Sequence, residues 1–258
     1  MLSDYKPVIF NTPKEHKEVE IYFAHDVHYG SEQHDKKKWE RFKKNLLASP
    51  NKYVIFVGDL LENAIPGSKS DIMTQTASPQ EQKEWVLEQF LELKDRIVAV
   101  TDGNHEHNRS AKAAGLYPVY DCCVMAGIQD RYRPNFAFVD IGVGETTKNR
   151  CGQVRYMGYC THKAADLKKY CSADFVEGVD FMAYGHDHDP KSHPRAKLVY
   201  DSKVKSITKR PIEVVNSGSF LWYGGYATRA GYRPSSDAMF KLTLNGTGKK
   251  FFSSDYYL

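Results

Sequence analysis

Residues 97–106 read IVAVTDGNHE, an apolar run that leads directly into acidic, amide and imidazole side chains. The apolar run predicts a buried strand, and the glycine that follows it predicts a sharp turn. Three other segments have the same form, because the apolar runs at residues 21–24, 54–57 and 181–184 lead into HDVH, GD and GHDH. In open α/β sheets, ligands bind at the carboxyl ends of strands. We therefore expect the four polar clusters to meet in one functional site.

The rest of the chain predicts strands and helices that alternate at first and mostly strands later. Further strand-like runs lie at residues 136–143, 154–160, 212–215 and 239–244. An apolar stripe predicts a helix over residues 35–47, and SPQE at 78–81 predicts the capped start of a second helix. We expect a layered α/β or α+β domain in which helices flank a central β-sandwich.

The composition is that of an ordinary globular protein. Of the 258 residues, 41% are hydrophobic and 26% are charged, which disfavours disorder, collagen and coiled coil. No apolar run approaches the ~18–20 residues of a membrane span, and the polar N-terminus lacks the apolar core of a secretory signal. The five cysteines show no CxxC spacing and are expected to be reduced thiols. We expect one domain over residues 1–258, with residues 1–17 as an N-terminal extension, no membrane association and a cytoplasmic location.

Two of the polar clusters have the spacing of paired metal ligands. Asp26 and His28 lie two residues apart, as do His186 and His188, and in extended backbone such residues point the same way. Carboxylate, imidazole and amide oxygen together suit manganese, iron or zinc. Asp59 at the end of another strand can supply a carboxylate between two ions, an arrangement that activates water and holds phosphoryl oxygens.

Five motifs in order resemble the calcineurin-like metallophosphoesterase superfamily. They are DVH at 26–28, GDLLE at 58–62, GNHE at 103–106, the single His162 and GHDH at 185–188. The stretch VVNSGS at 214–219 resembles the strand and turn that often follow the last motif. The resemblance implies the fold of that superfamily and the hydrolysis of phosphate esters.

The resemblance also implies roles for single residues. It places one divalent ion on Asp26, His28 and His188, and a second on Asn104, His162 and His186, with Asp59 bridging them. Manganese is the first expectation, with iron, zinc or nickel as alternatives, and the nucleophile is a metal-bridging hydroxide. His105 matches the family histidine that stands beside the metals, where it can protonate the leaving group or stabilise developing charge. Lys163 follows His162 where the family commonly has glycine.

Four residues beside the motifs are candidates for contacts to the ligands or to substrate: His25, Glu62, Glu106 and Arg109. Histidines and acids in such places often orient metal ligands. The alternative for the two glutamates is a solvated acid, and for Arg109 a surface cation. The other histidines considered, at positions 16, 34 and 193, are interpreted as surface or hydrogen-bonded residues.

The motifs indicate phosphoester hydrolysis, and other features of the sequence bear on the substrate class. Asn63 and Ala64 stand where protein serine/threonine phosphatases of the superfamily usually have an arginine-glycine pair, which disfavours a phosphoprotein substrate. Our leading hypothesis is a phosphodiesterase or nuclease that acts on nucleic acid or nucleotides. A phosphomonoesterase, either phosphatase-like or specific for a small molecule, is the alternative. A non-catalytic scaffold of the same fold is the third interpretation, and the oligomeric state is left open.

A basic segment favours a polyanionic partner. Residues 191–211 carry seven Lys or Arg and one acid, a local charge of +6 (seven minus one) in a chain of net charge +4. Short apolar runs on both sides of Asp201 predict a hairpin inserted after the last histidine motif. Such a hairpin would attract nucleic acid. The alternative is that lysines on an edge strand only prevent edge-to-edge pairing.

Overall fold

The computed structural model of the chain describes residues 4–68, 72–147, 152–162, 176–247 and 252–257. It is a mixed α/β structure with two mixed sheets and helices. In the described part of the chain, no helix is long and apolar enough to cross a membrane.

Sheet I has six strands in the spatial order β13-β12-β2-β3-β4-β5. Their bounds are β2 Glu18–Ala24, β3 Lys52–Val57, β4 Ile97–Thr101, β5 Tyr132–Arg133, β12 Met239–Asn245 and β13 Phe252–Tyr257. Strands β2 to β5 are parallel, whereas β12 and β13 run antiparallel to their neighbours. The parallel strands all end at the same edge of the sheet, which brings their C-terminal turns together.

Sheet II has seven strands, six of them in the spatial order β1-β6-β7-β8-β11-β10, with the short β9 also paired to β11. Their bounds are β1 Val8–Asn11, β6 Phe136–Val143, β7 Val154–Thr161, β8 Phe181–Tyr184, β9 Lys191–Ser192, β10 Arg195–Asp201 and β11 Ser206–Asn216. Strands β7, β8 and β11 are parallel. Their C-terminal ends therefore also lie side by side.

The two sheets share one apolar core, as expected for a β-sandwich. Ile21 and Ile55 of sheet I belong to the same buried cluster as Val139, Ile141 and Phe181 of sheet II. Close packing between the sheets fixes the strand ends relative to one another.

Three helices, over residues 36–47, 79–93 and 118–125, pack on the other face of sheet I. The helices of the described residues are α1 Lys36–Leu47, α2 Pro79–Leu93, α3 Asn104–Glu106, α4 Lys112–Ala114, α5 Pro118–Met125 and α6 Gly225–Arg229, with a π-turn at His107–Ala111 and 3₁₀ turns at Ile72–Thr74 and Gln129–Arg131. Trp39 of α1 and Phe90 of α2 pack with Phe56 of β3 in a second buried cluster. The predicted capping box is confirmed, because Ser78 forms it with Glu81 at the start of α2. The Asp35 side chain caps α1 by accepting a hydrogen bond from the Lys38 N–H.

The sequence and the structure differ at the N-terminus. Residues 8–11, which the sequence assigns to an N-terminal extension, form β1 at the edge of sheet II, where Val8 pairs with Val139 and is buried. A four-residue strand is too short to show a periodic pattern, and its partner lies far away in sequence.

The basic segment forms a hairpin, as the sequence predicts. Strand β10 pairs antiparallel with the first half of β11, and β11 continues without a break through residues 212–215, for which the sequence predicts a separate strand. Pro211 is tolerated inside β11 because this part of the strand has a paired neighbour, β10, on one side only.

Candidate metal centre

Three groups of acidic and imidazole side chains meet at the carboxyl ends of strands from both sheets. Within each group, one ligand-type atom of each residue lies within 4.8 Å of the others. The groups are Asp26 with His28 and His188, Asp59 with His162 and His186, and His28 with Asp59 and His105. These residues follow β2, β3, β4, β7 and β8, so the sandwich brings the predicted ligands together from both sheets. Asp59 belongs to two of the groups and lies between them.

Two hydrogen-bond donors orient the carboxylate of Asp26, and both bind the same oxygen. Its Oδ2 accepts hydrogen bonds from the Nδ1 of His25 at 2.7 Å and from the backbone N–H of His186 at 2.8 Å. The backbone N–H of Ser217 donates to Nε2 of His25 at 3.0 Å, so the ring proton of His25 must be on Nδ1. His25 therefore orients Asp26, and the other oxygen, Oδ1, faces the imidazoles of His28 and His188 at 3.5 and 3.4 Å.

The carboxylate of Asp59 is held in a similar way. Its Oδ1 accepts the backbone N–H of His105 at 2.8 Å, and its Oδ2 lies 2.9 Å from Nε2 of His162. The Nδ1 of His162 donates to the carbonyl oxygen of Val57 at 2.8 Å, which aims Nε2 at the centre. Both side chains are almost fully buried.

Five buried atoms at the centre make no hydrogen bond within the described residues: Asp26 Oδ1, Asn104 Oδ1, His162 Nε2 and both ring nitrogens of His28. Buried polar atoms without hydrogen bonds are uncommon in folded proteins because they lose hydration without replacement. Each of these atoms is of a type that binds divalent cations, and each belongs to a predicted metal ligand. The donor set therefore fits a metal centre.

The ionisable side chains of the centre shift one another's pKa values. Burial opposes ionisation of Asp26 and Asp59, but neighbouring imidazoles, including that of His162, hold the pKa of both carboxyls below their usual range. Burial lowers the pKa of His105 to about 4, so this imidazole is neutral at pH 7. Burial likewise opposes the charged form of His28, but the nearby carboxylates of Asp26 and Glu62 raise its pKa well above the usual value.

The backbone at the centre has an uncommon shape. Asp26, His28, Asp59 and His186 have φ angles of 50°, 48°, 50° and 71°, in the left-handed region that most residues avoid. Such conformations occur at functional sites, where the surrounding structure stabilises them. These conformations turn the chain sharply after strands β2, β3 and β8. The side chains that follow each strand can then reach the same centre.

Glu62, Glu106 and Arg109 support the centre from the side of α3. Nδ1 of His105 donates to the carbonyl oxygen of Glu62 at 2.8 Å, and Arg109 donates to the same oxygen. The Glu62 carboxylate lies 3.1 Å from Nδ1 of His28 and 3.3 Å from the Arg109 guanidinium. Arg109 thus binds Glu62, which in turn contacts His28.

Glu106 binds the turn that carries Asp59. Its carboxylate accepts four backbone N–H groups, those of Asp59, Leu60, Leu61 and Gly103, at 2.7 to 3.0 Å. The side chain is buried, and burial together with Asp59 raises its pKa, whereas the backbone N–H groups act in the opposite direction. Glu106 is therefore a positioning residue for Asp59.

Replacement of Glu106 by glutamine is expected to lower the free energy of unfolding by about 2–4 kcal/mol, because the amide group turns a donor toward backbone N–H groups that need an acceptor. The matched control is Glu81→Gln. Glu81 accepts the Ser78 N–H in the exposed capping box, where glutamine is equally suitable, so a change below about 0.5 kcal/mol is expected. Urea unfolding of both variants measures the difference, and equal losses would contradict this role of Glu106.

Some contributors to the centre carry no signal in the sequence. The Val57 carbonyl and the Ser217 N–H are backbone groups, and nothing in their residue type indicates that they orient His162 and His25. Asp102 is a different case, because it stands next to the GNHE motif. Its Oδ2 accepts the hydroxyl of Tyr132 at 2.6 Å, and burial together with Glu106 raises its pKa well above the usual value. Its position directly before the motif is the feature of the sequence that could have indicated Asp102 as part of the centre's surroundings.

A cavity of about 570 Å³ opens beside the centre. Its lining includes Asp102, Gly103, His107, Phe136, Phe138, Tyr159 and Thr161. Gly103 adjoins Asp59, and Thr161 immediately precedes His162. The cavity therefore adjoins the centre, although none of the predicted metal ligands lines it.

No protein-family model matches the chain, and no curated protein matches its sequence. The function is therefore inferred from the chemistry and geometry of the centre itself.

Proposed function

We propose that the protein is a metal-dependent phosphoesterase of the calcineurin-like superfamily with two divalent ions. The observation that carries the proposal is that Asp59 lies in one group with His28 and in another with His162 and His186, so that it connects the residues of two sites. Asp26, His28 and His188 would hold one ion, and Asn104, His162 and His186 the other, with Asp59 shared. When bound, such a pair of ions activates water and stabilises the charge on a phosphoryl group. Oxygen and imidazole ligands without thiolate favour manganese, with iron, zinc or nickel as alternatives.

The residues of the chain position the reacting groups. Glu106 and the His105 N–H fix Asp59, and His25 fixes Asp26, so the carboxylates need not reorganise during the reaction. In a neutral His105, the Nδ1–H donates a hydrogen bond to the carbonyl oxygen of Glu62, so Nε2 carries no proton. An anionic substrate in the centre favours the imidazolium and raises the pKa of His105. The Nε2 proton taken up in this way can then be donated to the leaving-group oxygen.

Metal binding is expected to release protons. Burial acts against the imidazolium, but the carboxylates of Asp59 and Asp26 outweigh it and raise the pKa of His162 to about 9 in the metal-free protein. At pH 7 this imidazole carries a proton on Nε2, which a bound ion must displace. Affinity should therefore rise about tenfold per pH unit between pH 7 and 9 for each such proton, and level off above the pKa of His162.

Calorimetry of manganese binding in two buffers of different ionisation enthalpy counts the released protons. His162→Gln removes the titrating ring and is expected to release about one proton fewer than the unchanged protein. The control is His16→Gln, which alters a histidine that contacts Tyr53 away from the centre. Binding with no proton release at pH 7 would contradict the assignment of His162 as a ligand.

Two measurements test the proposed function. Elemental analysis should find about two divalent ions per chain, and chelation should lower the melting temperature because the ions bind only the folded state. In manganese, hydrolysis of bis-nitrophenyl phosphate faster than that of nitrophenyl phosphate would support the phosphodiesterase. The reverse order would establish the phosphomonoesterase instead. A chain that binds no metal and cleaves neither ester would refute the proposal.

The positive charge of the β10–β11 hairpin favours nucleic acid as the substrate class. The hairpin of β10 and β11 carries Lys203, Lys205, Lys209 and Arg210 on an exposed extension, and such cationic surfaces attract phosphodiester chains. Replacement of these four residues by serine should weaken activity on DNA or RNA, and should reduce its salt dependence, without changing hydrolysis of the small diester. Unchanged activity on the polymers would remove this support.

A further inference from the structure

The β10–β11 hairpin has two unlike faces. In an antiparallel pair, directly opposed residues lie on the same face. Leu198 opposes Lys209, Tyr200 opposes Ile207, and Ala196 opposes Pro211, so one face is almost entirely apolar. The other face carries Arg195, Lys197, Val199, Thr208 and Arg210.

The apolar face points to solvent. Leu198 is 77% exposed, Tyr200 63% and Ile207 68%. On the opposite face, only the base of the hairpin contacts the body of the protein: Arg195 and Lys197 are half-buried, and the Lys197 ammonium donates to the carbonyl oxygen of Val176 at 3.1 Å. Val199, Thr208 and Arg210 on that face are also exposed. An exposed cluster of large apolar side chains is typical of an interaction surface.

Strand β10 is also the last strand of sheet II. Among the described residues, no strand pairs with its outer side. A seven-residue edge with one apolar face is a template for pairing with another strand, unless charges protect it. Most cations of the hairpin lie elsewhere, on the turn or on β11, and β10 itself has only Arg195 and Lys197. The edge is therefore poorly protected against pairing.

We propose that β10 pairs with β10 of a second copy of this chain, antiparallel, about a two-fold axis at Leu198. Leu198 is the central residue of the strand, so this register pairs all seven residues with their counterparts. It places Leu198 opposite Leu198, and Ala196 opposite Tyr200, on one continuous apolar face. It also places Arg195 of each copy opposite Asp201 of the other, and opposite charges in directly opposed positions stabilise a pair of strands.

The strand is thus self-complementary, as a two-fold interface requires. A second copy supplies hydrogen bonds for the open edge and contacts for the apolar face, and it places the charge of Asp201 across from that of Arg195. A polyanion would meet the cationic side chains but would leave the edge and the aliphatic side chains exposed to water. The proposed dimer does not depend on the phosphoesterase activity, because it uses only the hairpin.

Cysteine cross-linking tests the register. In the full chain, Leu198→Cys places two cysteines directly opposite each other at about 4.5–5.5 Å between Cα atoms, within the range of a disulfide. Tyr200→Cys is the matched control on the same face, since its copy would lie four residues away, about 13 Å along the strands. Mild oxidation should give a covalent dimer for Leu198→Cys only, above the background of the unchanged chain. Equal cross-linking of both variants, or of neither, would overturn the proposed pairing.

Sedimentation tests the association itself. The unchanged chain should sediment as a dimer at about 100 μM, and the double variant Leu198→Asp with Tyr200→Asp should sediment as a monomer with unchanged circular dichroism. Both side chains are exposed, so their replacement leaves the core intact. A monomeric unchanged chain at this concentration would overturn the proposal, as would a double variant that remains dimeric.

Discussion

Replacement of Asp59 by asparagine is expected to reduce phosphoester hydrolysis by roughly three orders of magnitude or more. Asp59 lies in one group with His28 and in another with His162 and His186, and its Oδ2 is 2.9 Å from Nε2 of His162. An amide at this position has no negative charge and turns a donor toward one of the ions. The variant should therefore bind less than the full complement of metal and lose most of its turnover.

The fold of this variant should survive. Asparagine retains an Oδ1 that accepts the His105 N–H, so the local hydrogen bond persists. The control is Asp121→Asn, which removes a surface ion pair with Lys83 and should change neither metal content nor rate. Elemental analysis and steady-state kinetics with saturating manganese distinguish the two variants. An Asp59→Asn variant with full metal content and a near-normal rate would rule out the proposed shared carboxylate.

Replacement of Gly103 by alanine is expected to damage the centre through steric conflict. An alanine Cβ would lie 2.1 Å from Oδ1 and 2.3 Å from the backbone nitrogen of Asp59, far inside van der Waals contact. Because one of the opposing atoms belongs to the backbone, the two turns must move apart. A displacement near 1 Å at a reacting centre can lower the rate about 100-fold, and overpacking of this kind costs about 1–3 kcal/mol.

The matched control is Gly115→Ala. Gly115 has φ of +67°, and an alanine Cβ there would meet no atom within 4 Å, so the substitution costs backbone strain of about 1 kcal/mol without touching the centre. Melting temperature and metal affinity should separate the two variants, since only Gly103→Ala should weaken metal binding. Normal metal affinity in Gly103→Ala would mean that the turns at residues 58–59 and 102–103 can move apart freely.

Local signals in the sequence predict the elements well. The strands Phe136–Val143 and Phe181–Tyr184 have the bounds expected from their apolar runs, and Asp35 and Ser78 cap the two long helices as their residue types indicate. These signals act over a few residues, so a single sequence contains them in full. The same holds for the groups of ligand-type side chains, which come directly after strands.

Pairings over long distances are not predictable in this way. Strand β1 lies beside β6, about 130 residues later, and β12 joins β2 from the far end of the chain. The contact of His25 with Ser217 spans 192 residues. Each depends on the closure of large loops and on the shared core, which no local pattern contains.

The left-handed turns restrict which amino acids can serve as ligands. Aspartate, asparagine and histidine are the residues other than glycine that most readily adopt positive φ, and the four positions concerned, 26, 28, 59 and 186, carry Asp, His, Asp and His. Cysteine and glutamate, which also bind metals, lack this tolerance. At these four positions, replacement by cysteine or glutamate would therefore place a less suitable residue in a left-handed turn. The shape of the backbone thus favours the present residue types there, independently of what the side chains bind.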